Sequence, residues 1–184
     1  AGSFLLAAAS IPWREAWKYG ERAWRYCQHD AGHALASAKL AAASLGWSLV
    51  LLDHVPDAST SRWLGLDRTS ESVPGEEEEA DFVAAVVPGP PPSPDACVSV
   101  DLSAPTSWHG KPNRLSADHQ DWPVIGQVAL ACRNAGSTGP GHPRSPTASR
   151  AQRPPRPHNF GTLVRQRRSA TGYDGAAAMD ATDF

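Results

Sequence analysis

The sequence lacks the features that identify several common functional classes. Its 184 residues contain no apolar run of the roughly 20 residues that cross a bilayer. It has no GxSxG, P-loop or GxGxxG motif, which removes the usual signatures of α/β-hydrolases, phosphate-binding loops and dinucleotide-binding folds. The three cysteines, Cys27, Cys97 and Cys132, form no CxxC pair, so neither a disulfide framework nor a zinc site is predicted. We expect a soluble protein, and the cysteine pattern favours a reducing, cytoplasmic compartment.

The chain also has little net charge to attract a polyanion. At pH 7 the formal charge is −2, which gives no overall field for nucleic acid or anionic lipid. Residues 142–168 hold seven arginines and no carboxylate, and such a segment could bind nucleic acid. It has little aromatic interleaving, however, so a solvated spacer is the better interpretation. We therefore predict no nucleic-acid partner and no membrane partner.

Helical periodicity dominates the first part of the chain. Apolar residues recur at three- and four-residue spacings from Leu35 to Leu45, which predicts a helix with one apolar face of mostly small side chains. Asp30 has the position of an N-cap and Gly46 the position where the helix should end, which gives roughly four turns. The apolar run Trp47–Leu52 that follows has the length of a strand.

An earlier helix is predicted over Trp13–Cys27, with Gly20 as a possible break. Trp17 and Trp24 lie seven residues apart and share a face of that helix. Such tryptophans can form a platform for a ligand, but more often they pack in a core. We expect core packing.

The middle of the chain predicts two strands and a further helix. Asp81–Val87 has the character of a buried strand, and Ala96–Leu102 that of a weaker one. Between them, Pro88–Pro94 must remain extended because proline cannot donate to a ladder. Asp121–Asn134 predicts a helix capped by its first residue, with a proline in the first turn.

Histidines offer the one pattern that suggests a metal. His29 and His33 have the i, i+4 spacing that places two ligands on one face of a helix. Asp30 between them indicates a helix start instead, which would leave His29 outside the first turn. His33 is then a packing or hydrogen-bonding residue rather than a general base. We predict no metal site.

Residues 13–47 carry a family resemblance. Their motif pieces are YGER, an aromatic-Arg-Tyr triplet, Asp-x-Gly-His, and LAA-x-x-LGW, at Tyr19–Arg22, Trp24–Tyr26, Asp30–His33 and Leu40–Trp47. This series resembles a helix of the nitroreductase-like flavin oxidoreductases. It is most similar to the branch that includes the dehydrogenases of thiazole and oxazole peptide synthesis, and to relatives with two nitroreductase-like modules in one chain.

Two later segments extend the resemblance. Residues 108–131 are similar to the closing segment of the first module in two-module relatives. Arg165–Asp174, RQRRSATGYD, resembles the Arg-Arg-Ser helix that opens a nitroreductase module. The resemblance implies that Arg167, Arg168 and Ser169 contact flavin mononucleotide (FMN), and paired guanidinium groups beside a hydroxyl do suit a phosphate and a ribityl chain.

The segment Arg165–Asp174 departs from the family motif at two positions. Its second basic position is Thr171 here, and its aromatic residue is Tyr173 rather than Phe. In the family that basic side chain commonly approaches the flavin ring, so its loss affects how the protein tunes the ring.

The order of these segments predicts three regions. Residues 1–135 would form the C-terminal part of a first nitroreductase-like module, and residues 159–184 the start of a second, truncated one. Residues 136–158, rich in Pro, Gly and Arg and without a large apolar side chain, predict a disordered linker.

The expected fold is α+β, with helices packed on a small sheet as in a partial nitroreductase-like fold. The resemblance implies an FMN-dependent oxidoreductase whose flavin pocket is completed by a second nitroreductase-like module or a homodimer partner. The alternative is a non-catalytic module that acts as a scaffold or assembly partner. The sequence identifies no catalytic side chain and no particular small-molecule substrate.

Overall fold

The computed structural model describes residues 2–68, 73–90, 103, 105, 107–110, 118, 120–136, 159–169, 171–172 and 175–176. Contacts between Cα atoms divide the chain into two units, Ala1–Arg144 and Ser145–Phe184. None of the helices among the described residues is long and apolar enough to cross a membrane. The predicted strand Ala96–Leu102 and residues 137–158 of the predicted linker lie outside the described residues.

The described part of the first unit contains three strands and four α-helices in an α+β arrangement, which confirms the predicted fold class. In chain order these are β1 (Phe4–Ser10), α1 (Pro12–Tyr19), α2 (Ala23–Ser44), β2 (Trp47–Leu51), α3 (Asp57–Leu64), β3 (Glu79–Pro88) and α4 (Pro123–Cys132). The described part of the second unit contains one helix, α5 (Phe160–Gln166).

The strands form one antiparallel sheet in the order β1–β3–β2. Residues directly opposite each other share a face of such a sheet. Ala7 pairs with Val83, and Val50 pairs with Ala85, which gives one apolar face. Leu52, Val55 and the half-buried Trp63 of α3 pack with this face and form one core of the unit. Helix α2 contacts strands β2 and β3.

A second core joins the three helices α1, α2 and α4. The buried side chains Ala16, Ala23 and Ile125 pack together, with the half-buried Trp122 against them. Ala23 is fully buried. The small side chains of Ala16 and Ala23 let the helix backbones approach closely at this core. Of the apolar face predicted from Leu35 to Leu45, Ala42 is buried, whereas Leu45 is exposed.

The boundaries of α2 correct the predicted helix start. Helix α2 begins at Ala23 and runs for 22 residues, which is about six turns rather than four. Asp30 therefore lies inside the helix and is not an N-cap. A single 3₁₀ turn, Gly20–Arg22, separates α1 from α2, so Gly20 does interrupt the earlier helix as predicted.

Two further predictions, the cap of α4 and the core packing of Trp17, are corrected by the structure. Helix α4 begins at Pro123 with Trp122 at the N-cap position, so Asp121 lies before the helix and does not cap it. Trp17 is 75% exposed and does not pack in the core, whereas Trp13 is buried. Trp24 is half-buried.

Candidate functional site

An irregularity in the sheet places one carboxylate at the candidate site. The register of β1 and β3 shifts between Ala8, which pairs with Phe82, and Ala9, which pairs with Ala80. Asp81 is therefore the extra residue of a β-bulge on β3. Bulges re-aim side chains and recur beside active sites. Here the bulge brings Asp81 to Ser10 on β1 and Gln28 on α2.

The Asp81 carboxylate is held by two hydrogen bonds. The Ser10 hydroxyl donates to Oδ1 of Asp81 at 3.0 Å, and the Gln28 side-chain amide donates to the same oxygen at 3.4 Å. Burial raises the pKa of Asp81 most, these two hydrogen bonds lower it, and the nearby carboxylates Asp57 and Glu78 raise it further. The net pKa is raised, so the neutral acid is favoured more than in an exposed aspartate.

Cys27 lies next to this group on α2. Its side chain is buried, and burial is the main reason why the pKa of its thiol is raised. A hydrogen bond with Ser10 lowers that pKa, and the charges of Asp81, Glu15 and Asp30 raise it. The thiolate is the nucleophilic form of cysteine. The structure therefore gives Cys27 the character of an inert core thiol.

A cleft of about 320 Å³ opens beside Asp81. It lies among α2, the end of β2, the start of α3, the start of β3 and the end of α4. Its polar lining includes four carboxylates and one cation, Arg133, which pairs with Glu79 at 3.4 Å. The lining residues are Trp24, Gln28, Leu51, Leu52, Asp53, Val55, Asp57, Thr60, Glu79, Ala80, Asp81, Phe82, Val83, Ala129, Cys132, Arg133 and Asn134.

Asn134 fixes one end of the cleft. Its side-chain amide donates to the carbonyls of Asp53 at 2.9 Å and Val55 at 3.0 Å, and its Oδ1 accepts from the Gly136 N–H at 2.9 Å. Its backbone N–H donates to Oδ2 of Asp57 at 2.8 Å, and its carbonyl accepts from the Asp57 N–H at 3.0 Å. These bonds attach the end of α4 to the connection between β2 and α3.

The predicted flavin contacts lie in the second unit. Arg167, Arg168 and Ser169 directly follow the C-terminal end of α5, and all three are exposed. Nη1 of Arg168 donates to the carbonyls of Arg165 at 2.9 Å and Arg167 at 2.8 Å. These bonds use only Nη1, so Nε and Nη2 of the same guanidinium can still donate to a phosphate.

The Asp81 cleft and the arginine group differ in their fit to a flavin. The cleft is lined by Asp53, Asp57, Glu79 and Asp81, and its cation already pairs with Glu79, so it would repel a phosphate. The exposed guanidinium groups of Arg167 and Arg168 next to the Ser169 hydroxyl offer the donors that a phosphate requires.

The two histidines of the metal pattern are both exposed on α2. His33 Nδ1 lies 3.6 Å from Oδ1 of Asp30, and His29 packs at a tilt near the Tyr26 ring, with 6.3 Å between ring centroids. Among the described residues, no three His, Cys, Asp or Glu side chains lie close enough together to hold a metal ion.

The sequence reasoning did not identify the Asp81 group. Asp81 was predicted only as the first residue of a strand, and Ser10 and Gln28 were not singled out. One signal was present, because a carboxylate that directly precedes an apolar strand is either solvated or held by specific donors. The partners come from positions 71 and 53 residues away along the chain, which no local pattern indicates.

Comparison with known families finds a match in the first part of the chain. Residues 1–75 match the sequence model of the Nitroreductase family. The match covers β1 to α3 and includes the motif pieces of residues 19–47, so it supports the nitroreductase-like resemblance of this part of the chain. The segments 108–131 and 165–174 lie outside it. Comparisons with curated proteins and with solved structures find no match.

Proposed function

We propose that this chain is part of an FMN-dependent oxidoreductase of the nitroreductase-like type. The observation that carries the proposal is the family match over residues 1–75, together with an α+β fold in that segment. At the level of the family, the match supports an oxidoreductase that uses a flavin. The choice of FMN and the residues that bind it are the finer parts of the proposal.

In this proposal Arg167, Arg168 and Ser169 hold the flavin phosphate. Arg167 and the free edge of Arg168 donate charge-assisted hydrogen bonds, and the Ser169 hydroxyl adds a neutral one. A bound flavin supplies hydride chemistry, while the protein supplies binding, orientation and electrostatics. The motif Arg165–Asp174 follows the family match in the chain, which agrees with a two-module relative of the thiazole and oxazole peptide dehydrogenases.

A partner module completes the flavin pocket in this proposal. The exposure of all three phosphate-binding residues supports this, because a pocket that encloses a cofactor buries most of its surface. The partner is a second nitroreductase-like module or a second copy of the chain.

The test compares FMN with riboflavin, which lacks the phosphate, by flavin fluorescence titration of the purified chain. We expect FMN to bind more tightly than riboflavin. Arg167→Ala should weaken FMN binding by about 10- to 100-fold, since a hydrogen bond to a charged group contributes about 1.5–3 kcal/mol. The same substitution should leave riboflavin binding unchanged, and Arg167→Lys should have a smaller effect on FMN.

Lys39→Ala is the matched control, because Lys39 is an exposed cation on α2 in the other unit. It should change neither affinity. A folded chain that binds neither flavin would contradict FMN binding by this chain with a second copy as its partner, and it would leave the non-catalytic scaffold as the better account. Equal FMN affinity in Arg167→Ala and in the wild type would refute the assignment of the phosphate site.

A further inference from the structure

A second cavity of the first unit, of about 230 Å³, lies between the start of α1, the loop before β3 and the start of α4. It shares Glu79 and Ala129 with the lining of the Asp81 cleft, and it differs in having Trp13 and Trp122 among its lining residues. Its lining residues are Pro12, Trp13, Gly75, Glu77, Glu79, Asp121, Trp122, Pro123, Ile125, Gly126 and Ala129.

The tryptophan walls are held in place by packing. Trp13 is 6% exposed. Trp122 packs on the buried Ala16, Ala23 and Ile125, and its six-membered ring lies close to the Gly20 backbone, where an added Cβ would be 3.3 Å from two ring carbons. An aromatic surface that is already fixed loses little conformational entropy when a ligand binds.

The rim of this cavity is acidic. Glu77, Glu79 and Asp121 are among its lining residues, and no cation is found among the lining residues that the structure describes. One Glu77 carboxylate oxygen accepts the Gly75 N–H at 3.0 Å, which orients this carboxylate at the loop. Glu79 pairs with Arg133 at 3.4 Å, so Glu77 and Asp121 carry most of the uncompensated negative charge.

An adjoining cavity of about 360 Å³ shares both tryptophan walls. Its described lining residues are Trp13, Ala16, Trp17, Asp118, Gln120 and Trp122, and none of these six is a cation. Trp17, which the core-packing prediction placed in the core, is exposed and lines this cavity. The aromatic surface thus continues beyond the first cavity.

We propose that the Trp13–Trp122 cavity binds a small organic cation, such as an alkylated ammonium group attached to an apolar or aromatic body. The faces of tryptophan rings attract cations, and the interaction strengthens when water is excluded. Carboxylates at the rim raise the local concentration of cations and repel anions. This site does not involve the flavin phosphate, so it stands or falls independently of the proposed function.

The probe is benzyltrimethylammonium, titrated calorimetrically into the full chain at low ionic strength. Benzyl alcohol serves as the neutral aromatic probe and phenylacetate as the anionic one. We expect the cation to bind about tenfold more tightly than benzyl alcohol, and phenylacetate to bind most weakly. Added salt should weaken only the binding of the cation, because salt screens the charges at the rim.

Substitutions separate the charge from the aromatic wall. Glu77→Gln combined with Asp121→Asn should reduce the affinity for the cation by about three- to tenfold, with little change for benzyl alcohol. Asp67→Asn removes an exposed carboxylate that lines neither cavity, and it should have no effect. Trp122→Phe retains an apolar ring for folding, and it should weaken the binding of both the cation and benzyl alcohol.

Each result has a defined meaning. A preference for the cation that Glu77→Gln with Asp121→Asn abolishes and Asp67→Asn preserves would support the site. Equal affinities for the cation and benzyl alcohol would overturn the proposal, and so would the absence of binding in a chain whose circular dichroism shows a folded protein. An equal loss of cation affinity in Asp67→Asn would also overturn it.

Discussion

Gly65 at the end of α3 offers a quantitative test of how the Trp108 ring packs against this helix. It adopts a left-handed conformation, with φ of 74°; its N–H donates to the Arg62 carbonyl, and the N–H of the next residue, Leu66, donates to the Ser61 carbonyl. A Cβ at this position would lie 2.5 Å from Cδ1 and 2.8 Å from Cγ of the Trp108 ring. Gly65→Ala should therefore strain the backbone and displace the indole.

The size of the effect follows from two contributions. A non-glycine residue in the left-handed region costs about 1–2 kcal/mol. Displacing Trp108 breaks its hydrogen bond to the Trp63 carbonyl, now 3.1 Å, and its contact with the Arg68 guanidinium, now 5.3 Å from the ring centroid. The hydrogen bond contributes about 0.5–1.5 kcal/mol, and the contact between the guanidinium and the ring contributes about 0.5–1 kcal/mol. The free energy of unfolding should fall by about 2–4 kcal/mol.

Gly46→Ala is the matched control. Gly46 has a similar φ of 71°, but an added Cβ would meet no atom within 4 Å. Urea denaturation followed by circular dichroism should show a loss of only about 1–2 kcal/mol for this variant. In a Trp108→Ala background, Gly65→Ala should lower the free energy of unfolding by no more than Gly46→Ala does. Equal losses for the two alanine variants in the wild-type background would refute the position assigned to Trp108.

Three further predictions concern the Asp81 group and its surroundings. Asn134→Ala removes three side-chain hydrogen bonds and should lower the free energy of unfolding by about 2–4 kcal/mol in urea, whereas no change would show that they do not attach α4 to the β2–α3 connection. Because the folded pKa of Asp81 is raised, its contribution to stability is present below the unfolded pKa and is lost as pH rises through the folded pKa; Asp81→Asn should flatten this decline in urea melts across pH, and an unchanged profile would contradict the raised pKa. In a Cys97→Ser background, a thiol reagent should label the exposed Cys132 quickly and the buried Cys27 only on unfolding, so equal labelling rates would contradict the burial of Cys27.

The elements that the sequence predicted well have strong local signals. Strand β3 is a run of apolar and β-branched residues, and α2 ends next to Gly46, where a left-handed residue is required. The start of α2 was misplaced because Asp30 is a good N-cap type, yet the preceding residues from Ala23 already continue the helix. A favourable cap residue does not prevent a helix from beginning earlier.

The missed elements depend on tertiary contacts. β1 has the sequence FLLAAAS, whose alanines have weak strand propensity, and it is a strand because its whole length pairs with β3. α3 has the sequence DASTSRWL, rich in Ser and Thr, and Trp63 packs it against the sheet core. The Asp81 group needs both the bulge and the packing of α2, so local sequence could not predict it.

The visible absorption spectrum of the purified full chain tests the central claim most directly. The chain would be incubated with FMN, freed of unbound cofactor, and its bound flavin compared with its protein concentration. We predict a yellow protein with near-stoichiometric flavin that bleaches on reduction and releases FMN on unfolding. A folded protein that remains colourless would contradict the claim that this chain takes part in flavin chemistry.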